Sequence, residues 1–456
     1  MNLVEKDLKY IWHPCSQMKD YETFKPIVIE KGEGIYLYDI NGNEYIDSIS
    51  SWWCNLFGHS NKRINNAINN QINKLEHVIF ANFTHKPAIE LCERIINLAP
   101  NGLNKVFFTD NGSASVECAL KMSFQYHAQV GNTKKQKFVA ITDAYHGETI
   151  GALSVGDLDL YSKVYKPIML DTKRVDGPDC YRCKYNKERK TCDAECFESM
   201  EDYVKESHEE IASIIIEPML QGAAGMKIYS PVYLKKLRQL CDKYDIHLIA
   251  DEIAVGFGRT GKMFACEHAD ITPDFMCLSK GLTAGYVPMA LVLTKDSIYN
   301  AFYDDYNTYK AFMHSHTYSG NPIGCSIANE VLNIFEEENV LYENEEKAKY
   351  FTNILNENFK EHKNVGEIRS IGLINAIELV EDKNLKLGFD SDLRVGYKIY
   401  QKALKKGVLL RPLGNVIYFN PPYVISKSDM EKMVRVCKET MDEVLESLKV
   451  EVLKYK

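Results

Sequence analysis

Apolar residues in the first part of the chain recur with two different periods. Between residues 61 and 79 they are spaced three or four apart, which predicts one face of a helix. Residues 35–39 and 45–47 flank Asn41-Gly42-Asn43, a pattern typical of a β-hairpin. The rest of residues 1–55 is predicted to form loops and short strands.

From about residue 105, short apolar runs alternate with longer connections. The runs occupy residues 105–109, 138–142, 213–217, 247–251, 275–279 and 290–294. Most connections are long enough for a helix, and residues 231–244 carry leucines at helical spacing. Buried strands that alternate with helices predict an α/β fold around a mostly parallel sheet.

The last part of the chain predicts a separate, small α+β domain. Helical patterns there alternate with apolar runs near residues 374–379 and 416–419. We expect this part to pack with the N-terminal hairpin, so that both chain ends build one domain. The predicted segments are 1–60 for the N-terminal part of the small domain, 61–330 for the large domain with a cysteine-rich loop at 177–197, and 331–456 for the C-terminal part.

Composition narrows the class of protein. The 456 residues are 45% hydrophobic and 26% charged, as in a soluble globular enzyme. A net charge of -8 disfavours nucleic acid as a partner. No apolar stretch approaches the roughly 18 residues that span a bilayer, and the N-terminus lacks the pattern of a secretory signal. Thirteen cysteines, mostly within apolar segments, are typical of a reduced, cytoplasmic protein. We therefore expect small-molecule substrates.

Candidate chemistry follows four of the predicted strands, where open α/β sheets bind their ligands. Gly112-Ser113 begins a helix and is either a phosphate site or a simple helix cap. Tyr145 is either a ring that stacks on a planar ligand or part of the core. Asp251 and Lys280 lie at the ends of two further strands. They either form a structural ion pair or bind pyridoxal phosphate (PLP). In PLP enzymes a lysine binds the cofactor covalently and an aspartate keeps the pyridine nitrogen protonated.

Two segments resemble a known signature. Residues 251–261 (DEIAVGFGRTG), followed by Ser279-Lys280-Gly281, resemble the signature of the class III aminotransferases, which are fold-type I PLP enzymes. The resemblance covers essentially the whole chain. Further segments are similar to the branch of this family that transaminates 8-amino-7-oxononanoate in biotin biosynthesis. They are Trp12-His13-Pro14, Ser50-Ser51-Trp52-Trp53, residues 144–149, and residues 411–414 running into 418–422.

The resemblance implies a cofactor role for each matching residue. Lys280 would bind PLP and move protons, Asp251 would hold the pyridine nitrogen, and Tyr145 would stack on the ring. The other predicted cofactor residues are Gly112 and Ser113 at the phosphate, Ile253 on the second ring face, Thr317 at the phosphate of the neighbouring subunit in a homodimer, and Glu217 with Gln221 on the cofactor side.

The same resemblance implies a substrate site. Arg411 would bind the substrate carboxylate, since a planar guanidinium suits bidentate binding. Arg259 would support the pocket. The predicted substrate-binding residues are Cys15, Trp52, Tyr145, Arg259, Lys280, Ser315 and Arg411, and Trp53 is either a pocket wall or part of the core.

Three positions depart from the pattern of this branch. Cys15 stands where the branch has a tyrosine, His316 where it has a proline, and Glu148 where an aspartate is common. Cys15 and His316 leave the amino donor open: S-adenosylmethionine is the predicted donor and lysine the alternative. Another class III ω-amino acid aminotransferase, or a non-catalytic protein of this fold, remains as an alternative function.

A second set of cysteines lies in a polar stretch of the chain. Its members are Cys180, Cys183, Cys192 and Cys196. Four thiols this close in sequence suit either a structural zinc ion or a loop of reduced cysteines. We expect the reduced loop, because the second spacing is not common in zinc sites, and we expect no catalytic metal.

Overall fold

The structure of the protein, a computed structural model, describes residues 1–454. Its strands are β1 (Ile29–Glu33), β2 (Tyr36–Asp39), β3 (Glu44–Asp47), β4 (Lys105–Thr109), β5 (Lys137–Ile141), β6 (Thr172–Val175), β7 (Ile211–Ile216), β8 (Leu220–Gln221), β9 (Lys227–Ile228), β10 (His247–Asp251), β11 (Phe275–Leu278), β12 (Ala290–Thr294), β13 (Val365–Ile371), β14 (Ile374–Leu379), β15 (Val408–Leu409) and β16 (Val416–Phe419). Its α-helices are α1 (Leu3–Tyr10), α2 (Lys62–Ile72), α3 (Lys86–Leu98), α4 (Gly112–Gln129), α5 (Ile150–Ser154), α6 (Asp159–Ser162), α7 (Glu198–Ser207), α8 (Pro231–Tyr244), α9 (Asp296–Asn300), α10 (Pro322–Glu337), α11 (Val340–Phe359), α12 (Val395–Lys405) and α13 (Lys427–Lys454). Residues Ser50–Trp53 form a separate left-handed turn.

The largest sheet has the strand order β4-β12-β11-β10-β7-β5-β6. Strand β12 runs antiparallel to both of its neighbours, and the other pairs are parallel. Strands β7 and β10 are buried along their whole length, which explains their continuous apolar runs. The predicted α/β fold with a mostly parallel sheet is confirmed.

The predicted strands of this sheet are present with small changes at their ends. Strands β4, β10 and β12 have the predicted bounds, whereas β5 and β7 differ by one or two residues at both ends and β11 by one residue at its end. In the antiparallel register the end of β4 and the end of β11 both face the start of β12. The parallel strands therefore end at one edge of the sheet, where α/β proteins bind ligands.

The two ends of the chain meet in a second sheet. The hairpin of β2 and β3 forms as predicted, and Gly42 in its turn has a φ of 83° that favours glycine. Strand β15 pairs in parallel with β3, so a C-terminal strand extends the N-terminal sheet. This pairing supports the division of the chain into two domains, whose limits at residues 60 and 330 remain a proposal.

Two helical predictions differ from the structure. Helix α1 lies where loops were predicted; Asn2 and Glu5 cap it reciprocally, and it buries no side chain, so it leaves no apolar stripe in the sequence. Helix α2 ends at Ile72, although the apolar spacing continues to residue 79. Ile72 and Ile79 are 51% and 61% exposed, so the spacing beyond Ile72 does not mark a buried face.

The C-terminal helix α13 is the longest in the described part of the chain, with 28 residues. It packs against α11 and α12 through buried residues such as Met430, Met433 and Cys437. Its other faces carry charged side chains. No helix within residues 1–454 combines the length and the apolar character that crossing a membrane requires.

Candidate active site

A cavity of about 1170 Å³ lies at the edge of the central sheet where the parallel strands end. Loops after β4, β5 and β11 form its floor, and segments from both ends of the chain form its wall. The predicted site residues that line it are Cys15, Trp52, Trp53, Ser113, Tyr145, Lys280 and Arg411. Tertiary structure thus brings together residues from nearly the whole chain length.

Lys280 follows β11 at the bottom of this cavity. Its Nζ atom lies 5.1 Å from the centroid of the Trp53 ring. Burial lowers the pKa of Lys280, and the nearby Asp251 carboxylate opposes that shift. A lowered pKa increases the share of neutral amine, which is the form that attacks a carbonyl. Within residues 1–454 no salt bridge joins Lys280 to Asp251, so a structural ion pair is not supported.

Asp251 ends β10 and is held by two hydrogen bonds. Its Oδ1 accepts the N–H of Ile253 at 3.1 Å, and its Oδ2 lies 2.7 Å from Nδ1 of His146. Both Asp251 and His146 are buried. His146 was not among the predicted site residues, although it directly follows Tyr145. Its position indicates that it orients the carboxylate.

The start of α4 offers hydrogen-bond donors to an anion. Asn111 caps the helix through its side chain, so the Gly112-Ser113 pair is not itself the cap. A Cβ atom on Gly112 would lie 3.1 Å from Ile253, and one on Gly147 would lie 2.2 Å from the hydroxyl of Ser113. With its φ of 123°, residue 147 favours glycine, whereas a side chain at residue 112 would press on Ile253. The free N–H groups of the first turn and the Ser113 hydroxyl fit a phosphate.

Glu217 links Tyr145 to the floor of the cavity. Its carboxylate accepts the backbone N–H of Tyr145 at 3.1 Å and that of Gly222 at 2.9 Å. Burial raises the pKa of Glu217 to about 7; the neighbouring His146 opposes the shift and Asp251 adds to it. The hydroxyl of Tyr145 donates to Glu148 at 3.0 Å, which fixes the direction of the ring.

Arg411, Trp52 and Cys15 meet on the opposite wall. The Arg411 guanidinium carbon lies 4.3 Å from the centroid of the Trp52 ring, and its Nη2 donates to the Cys15 carbonyl at 3.3 Å. The Cys15 sulfur lies 3.7 Å from the hydroxyl of Tyr161. Tyr161 also lines the cavity, and its ring lies 5.3 Å from that of Tyr145. Tyr161 was not predicted as a site residue, because nothing near it in the chain marks a strand end.

Two residues support this wall from behind. Trp53 is buried and its indole N–H donates to the Tyr418 hydroxyl at 2.9 Å, so it belongs to the core and also lines the cavity. Arg259 is buried and donates to the backbone carbonyls of Trp53 at 3.3 Å and Asn55 at 2.9 Å. It does not line the cavity of the described chain. Its contacts are those of a residue that supports the pocket.

Ser315 and Thr317 are exposed and lie outside the cavity of this chain. Their segment runs beside the end of β4, where the Ser319 hydroxyl contacts the Phe108 carbonyl at 3.3 Å. His316 Nδ1 lies 3.9 Å from Asp110 Oδ2. The single chain therefore does not bring Ser315 and Thr317 together with the other predicted site residues.

The cysteine-rich loop holds free thiols. Cys180, Cys183, Cys192 and Cys196 are each half-buried and unpaired. In the part of the chain that the structure describes, no group of three or more His, Cys, Asp or Glu side chains is placed to hold a metal ion. The zinc alternative has no support in this geometry.

The residues in and beside the cavity fit PLP as a group. Lys280 supplies an amine, Asp251 a buried carboxylate, Tyr145 an aromatic face, and the first turn of α4 a set of phosphate donors. The glycines at 112 and 147 let the Ile253 side chain and the Ser113 hydroxyl lie close to the backbone beside the cavity. This donor set is the one that the chemistry of PLP requires.

Several known proteins are similar to this chain in sequence and in fold. The aminotransferase class-III family matches residues 17–441. The "adenosylmethionine-8-amino-7-oxononanoate aminotransferase" of Helicobacter pylori is 44% identical over 448 residues, 97% of this chain and 98% of the relative. The protein of the same name from Geobacter sulfurreducens is 43% identical over 94% of each chain.

Solved structures agree with these relatives. The crystal structure of the adenosylmethionine-8-amino-7-oxononanoate aminotransferase from Methanocaldococcus jannaschii has a TM-score of 0.91 and 40% identity, and the match covers 97% of this chain and 98% of that chain. An omega transaminase from Pseudomonas jessenii, solved in complex with PMP, has a TM-score of 0.93 and 32% identity over 98% and 99%. The chain therefore belongs to the class-III aminotransferase family.

Proposed function

We propose that the protein is a PLP-dependent aminotransferase that converts 8-amino-7-oxononanoate to 7,8-diaminononanoate, a step of biotin biosynthesis. The observation that carries the proposal is the arrangement of the cavity: Lys280 lies at its floor, and Arg411 stacks on Trp52 at its wall. Relatives that carry the name of this activity match nearly the whole chain at 43% and 44% identity.

PLP, when bound, supplies the electron sink for transamination. Lys280 would hold it covalently and, once released, would move a proton at the substrate carbon, for which a lowered pKa is suitable. Asp251, oriented by His146, would keep the ring nitrogen protonated by its charge. Gly112 and Ser113 would hold the phosphate at the start of α4.

The acceptor has a carboxylate at one end of an apolar chain and the reacting carbonyl at the other. Lys280 and Arg411 both line this cavity, so each end of such a molecule has a suitable group within the same cavity. Arg411 offers a planar pair of N–H donors to the carboxylate. The rings of Trp52, Tyr145 and Tyr161 line the space between and suit the apolar chain.

We propose S-adenosylmethionine as the amino donor, with lysine as the alternative. A cavity of about 1170 Å³ has room for an adenosyl group. Glu148 and Tyr161 at its rim offer a negative charge and an aromatic ring to a sulfonium, although the charge also suits an ammonium. Mixing the PLP-loaded protein with each donor alone tests this choice. We expect S-adenosylmethionine to remove the visible cofactor absorbance; removal by lysine alone would reverse the donor assignment and leave the acceptor unchanged.

Complementation tests the proposed function in a cell. The gene should restore growth without biotin to a strain that lacks this transamination, and the Lys280→Ala variant, expressed at the same level, should not. No growth with the wild-type chain, when the purified protein is folded and holds PLP, would contradict the proposed acceptor.

A second candidate is a broader ω-amino acid aminotransferase. The Pseudomonas jessenii omega transaminase matches the fold with a TM-score of 0.93, as well as the named relative does. This function would show as amine transfer to simple ketones at rates above those for 8-amino-7-oxononanoate. We favour the biotin enzyme, because sequence identity to it is 40% against 32%.

The assembly is part of the same proposal. Thr317 and Ser315 lie outside the cavity of their own chain, and we propose that they complete the site of the second subunit in a homodimer. The cytoplasmic location expected from the sequence stays a prediction.

A further inference from the structure

The turn Ser50–Trp53 has a backbone conformation that residues with side chains rarely adopt. Its φ angles are 52°, 45°, 76° and 74° in chain order, and none of the four residues is a glycine. This left-handed conformation is energetically unfavourable for each L-amino acid that adopts it. Strained residues persist only where surrounding contacts hold them, and they concentrate at functional sites.

Asp47 makes the contacts that hold the turn. It is fully buried, and its Oδ1 accepts the backbone N–H of Ser51 at 2.9 Å. Its Oδ2 accepts the Ser51 hydroxyl at 2.7 Å and lies 3.0 Å from Nε2 of His59. Both carboxylate oxygens are therefore used, and two of their partners belong to one residue of the turn.

His59 is itself fixed on several sides. Asn55 Nδ2 donates to His59 Nδ1 at 3.2 Å, which leaves Nε2 facing Asp47. The His59 backbone exchanges two hydrogen bonds with Gly34, at 2.6 and 3.1 Å. A Cβ atom on Gly32 would lie 2.7 Å from the His59 side chain, so the strand leaves room for this imidazole only because residue 32 is a glycine. The imidazole thus has little freedom to leave the carboxylate.

The turn brings two neighbouring indoles to one cavity. Trp52 contacts the Arg411 guanidinium and Trp53 contacts the Lys280 amine, at 4.3 and 5.1 Å from the ring centroids. Consecutive side chains of a strand point to opposite faces. The left-handed conformation is what allows residues 52 and 53 to line the same space.

We propose that Asp47 and His59 are positioning residues of the active site. Their pair holds the left-handed turn, and the turn holds Trp52 and Trp53 at the distances at which they flank the substrate. The effect on substrate binding rests on the proposed function, whereas the effect on the two indoles does not.

Tryptophan fluorescence reports the turn directly. The chain has three tryptophans, and the third, Trp12, is 87% exposed. A Trp12→Phe background therefore leaves only the two indoles of the turn. In the PLP-loaded protein with this background, we expect Asp47→Asn to increase quenching by acrylamide and to weaken the near-UV circular dichroism, while the far-UV spectrum stays unchanged. An amide cannot accept from both the N–H and the hydroxyl of Ser51 on its two ends.

Kinetics give a second, separate measurement. We expect Asp47→Asn to raise the KM for 8-amino-7-oxononanoate by about tenfold and to change kcat by less than about threefold, because the turn shapes binding and not proton transfer. If the quenching changes and the KM does not, the pair holds the turn but the turn does not position the substrate, and the positioning role is wrong. If neither changes, the positioning role is wrong. If the wild-type protein does not convert 8-amino-7-oxononanoate at all, the proposed acceptor is wrong, and the quenching still tests whether the pair holds the turn.

Asp39→Asn is the matched control. Asp39 is also buried, at 5% exposure, and it accepts the N–H groups of Asn41 and Asn43 at 2.9 Å in the neighbouring hairpin. The Asp39→Asn variant loses the same charge but no contact with the turn. Its quenching by acrylamide should therefore equal that of the background protein. An equal change in Asp39→Asn would show a general loosening and would overturn the proposal.

If Asp47→Asn does not fold, a pair of variants at His59 tests whether the Asp47–His59 contact holds the turn. The side-chain amide of His59→Gln can still donate to Asp47, whereas His59→Ala removes the donor. We expect quenching close to the background in His59→Gln and increased quenching in His59→Ala. Equal quenching in the two variants would contradict the proposal.

Discussion

The cavity has a cofactor floor (Ser113 and Lys280, with the buried Asp251 at the end of the neighbouring strand β10) and a substrate wall (Cys15, Trp52, Arg411), and the two are built differently. Each floor residue directly follows or ends a strand, or lies in the first turn of a helix, of the central α/β domain. The wall residues come from both chain ends, and Arg411 contacts Cys15 across 396 positions of sequence. Regular structure therefore positions the floor, whereas long-range contacts position the wall. We expect changes in the floor to remove the chemistry and changes in the wall to alter substrate binding.

The largest effect is expected at the floor, in Lys280→Ala. Transamination should fall by at least about 10⁴-fold, because no other group takes over covalent binding and proton transfer. The measurement is amine transfer by the purified variant, with circular dichroism to show that it is folded. Lys262→Ala is the control, since Lys262 is an exposed lysine that does not line the cavity. Near-normal turnover in Lys280→Ala would contradict the assignment.

Asp251→Asn should have the second largest effect. A neutral amide does not hold a proton on the ring nitrogen by charge, so kcat should fall by about 10²- to 10³-fold while PLP still binds. His146→Gln should lower kcat less than Asp251→Asn does, because Asp251 keeps its charge and loses only its partner at 2.7 Å. An unchanged kcat in Asp251→Asn would remove Asp251 from the floor.

A mixing experiment tests whether the floor is completed by a second subunit. Lys280→Ala and Thr317→Ala chains, each inactive alone, should regain part of the activity as heterodimers, since one of the two hybrid sites is then intact. Dilution to monomers should release PLP, because a phosphate held across an interface couples cofactor affinity to dimerisation. Verified heterodimers without any recovery would disprove the shared site.

The wall should respond in KM. Arg411→Lys loses the bidentate fork and the stacking on Trp52, so the KM for 8-amino-7-oxononanoate should rise by about tenfold to a hundredfold with a smaller change in kcat. Arg394→Lys is the matched change, because Arg394 lines the same cavity but is already paired with Asp20 at 2.6 Å. A larger rise in Arg394→Lys would assign the carboxylate to Arg394.

The smallest effect concerns Glu217, a buried carboxyl group that accepts the backbone N–H of Tyr145. Its pKa is raised from 4.5 to about 7, so the folded state binds a proton that the unfolded state releases. This contribution to stability is complete below pH 4.5 and is lost as the pH rises through 7. Between pH 4.5 and pH 7, the loss of this contribution should lower the free energy of unfolding by up to about 1.4 kcal/mol for each pH unit.

Denaturant unfolding of the wild type and of Glu217→Gln at pH 5, 6 and 8 measures this effect. The wild type should lose stability relative to the variant as the pH rises, because a glutamine carries no proton to release. Parallel pH profiles for the two proteins would show that Glu217 keeps an ordinary pKa.

The floor was predictable from the strand pattern itself, whereas the wall residues Cys15, Trp52 and Arg411 were predicted only through the resemblance to the family. Asp251 and Lys280 stand out because buried strands give clear apolar runs, and a charged residue at the end of such a run is conspicuous. The left-handed turn has no such mark, because no periodicity indicates positive φ in residues other than glycine. Tyr161 and His146 were missed for a related reason: their partners, Cys15 and Asp251, lie 146 and 105 positions away.

Formation of 7,8-diaminononanoate by the purified protein tests the central claim most directly. The PLP-loaded protein is incubated with 8-amino-7-oxononanoate and either S-adenosylmethionine or lysine, and the product is identified by mass spectrometry. We predict a gain of one amino group on the acceptor with the wild-type chain and none with Lys280→Ala. Conversion of simple ω-amino acids without any diamine product, with either donor, would contradict the account.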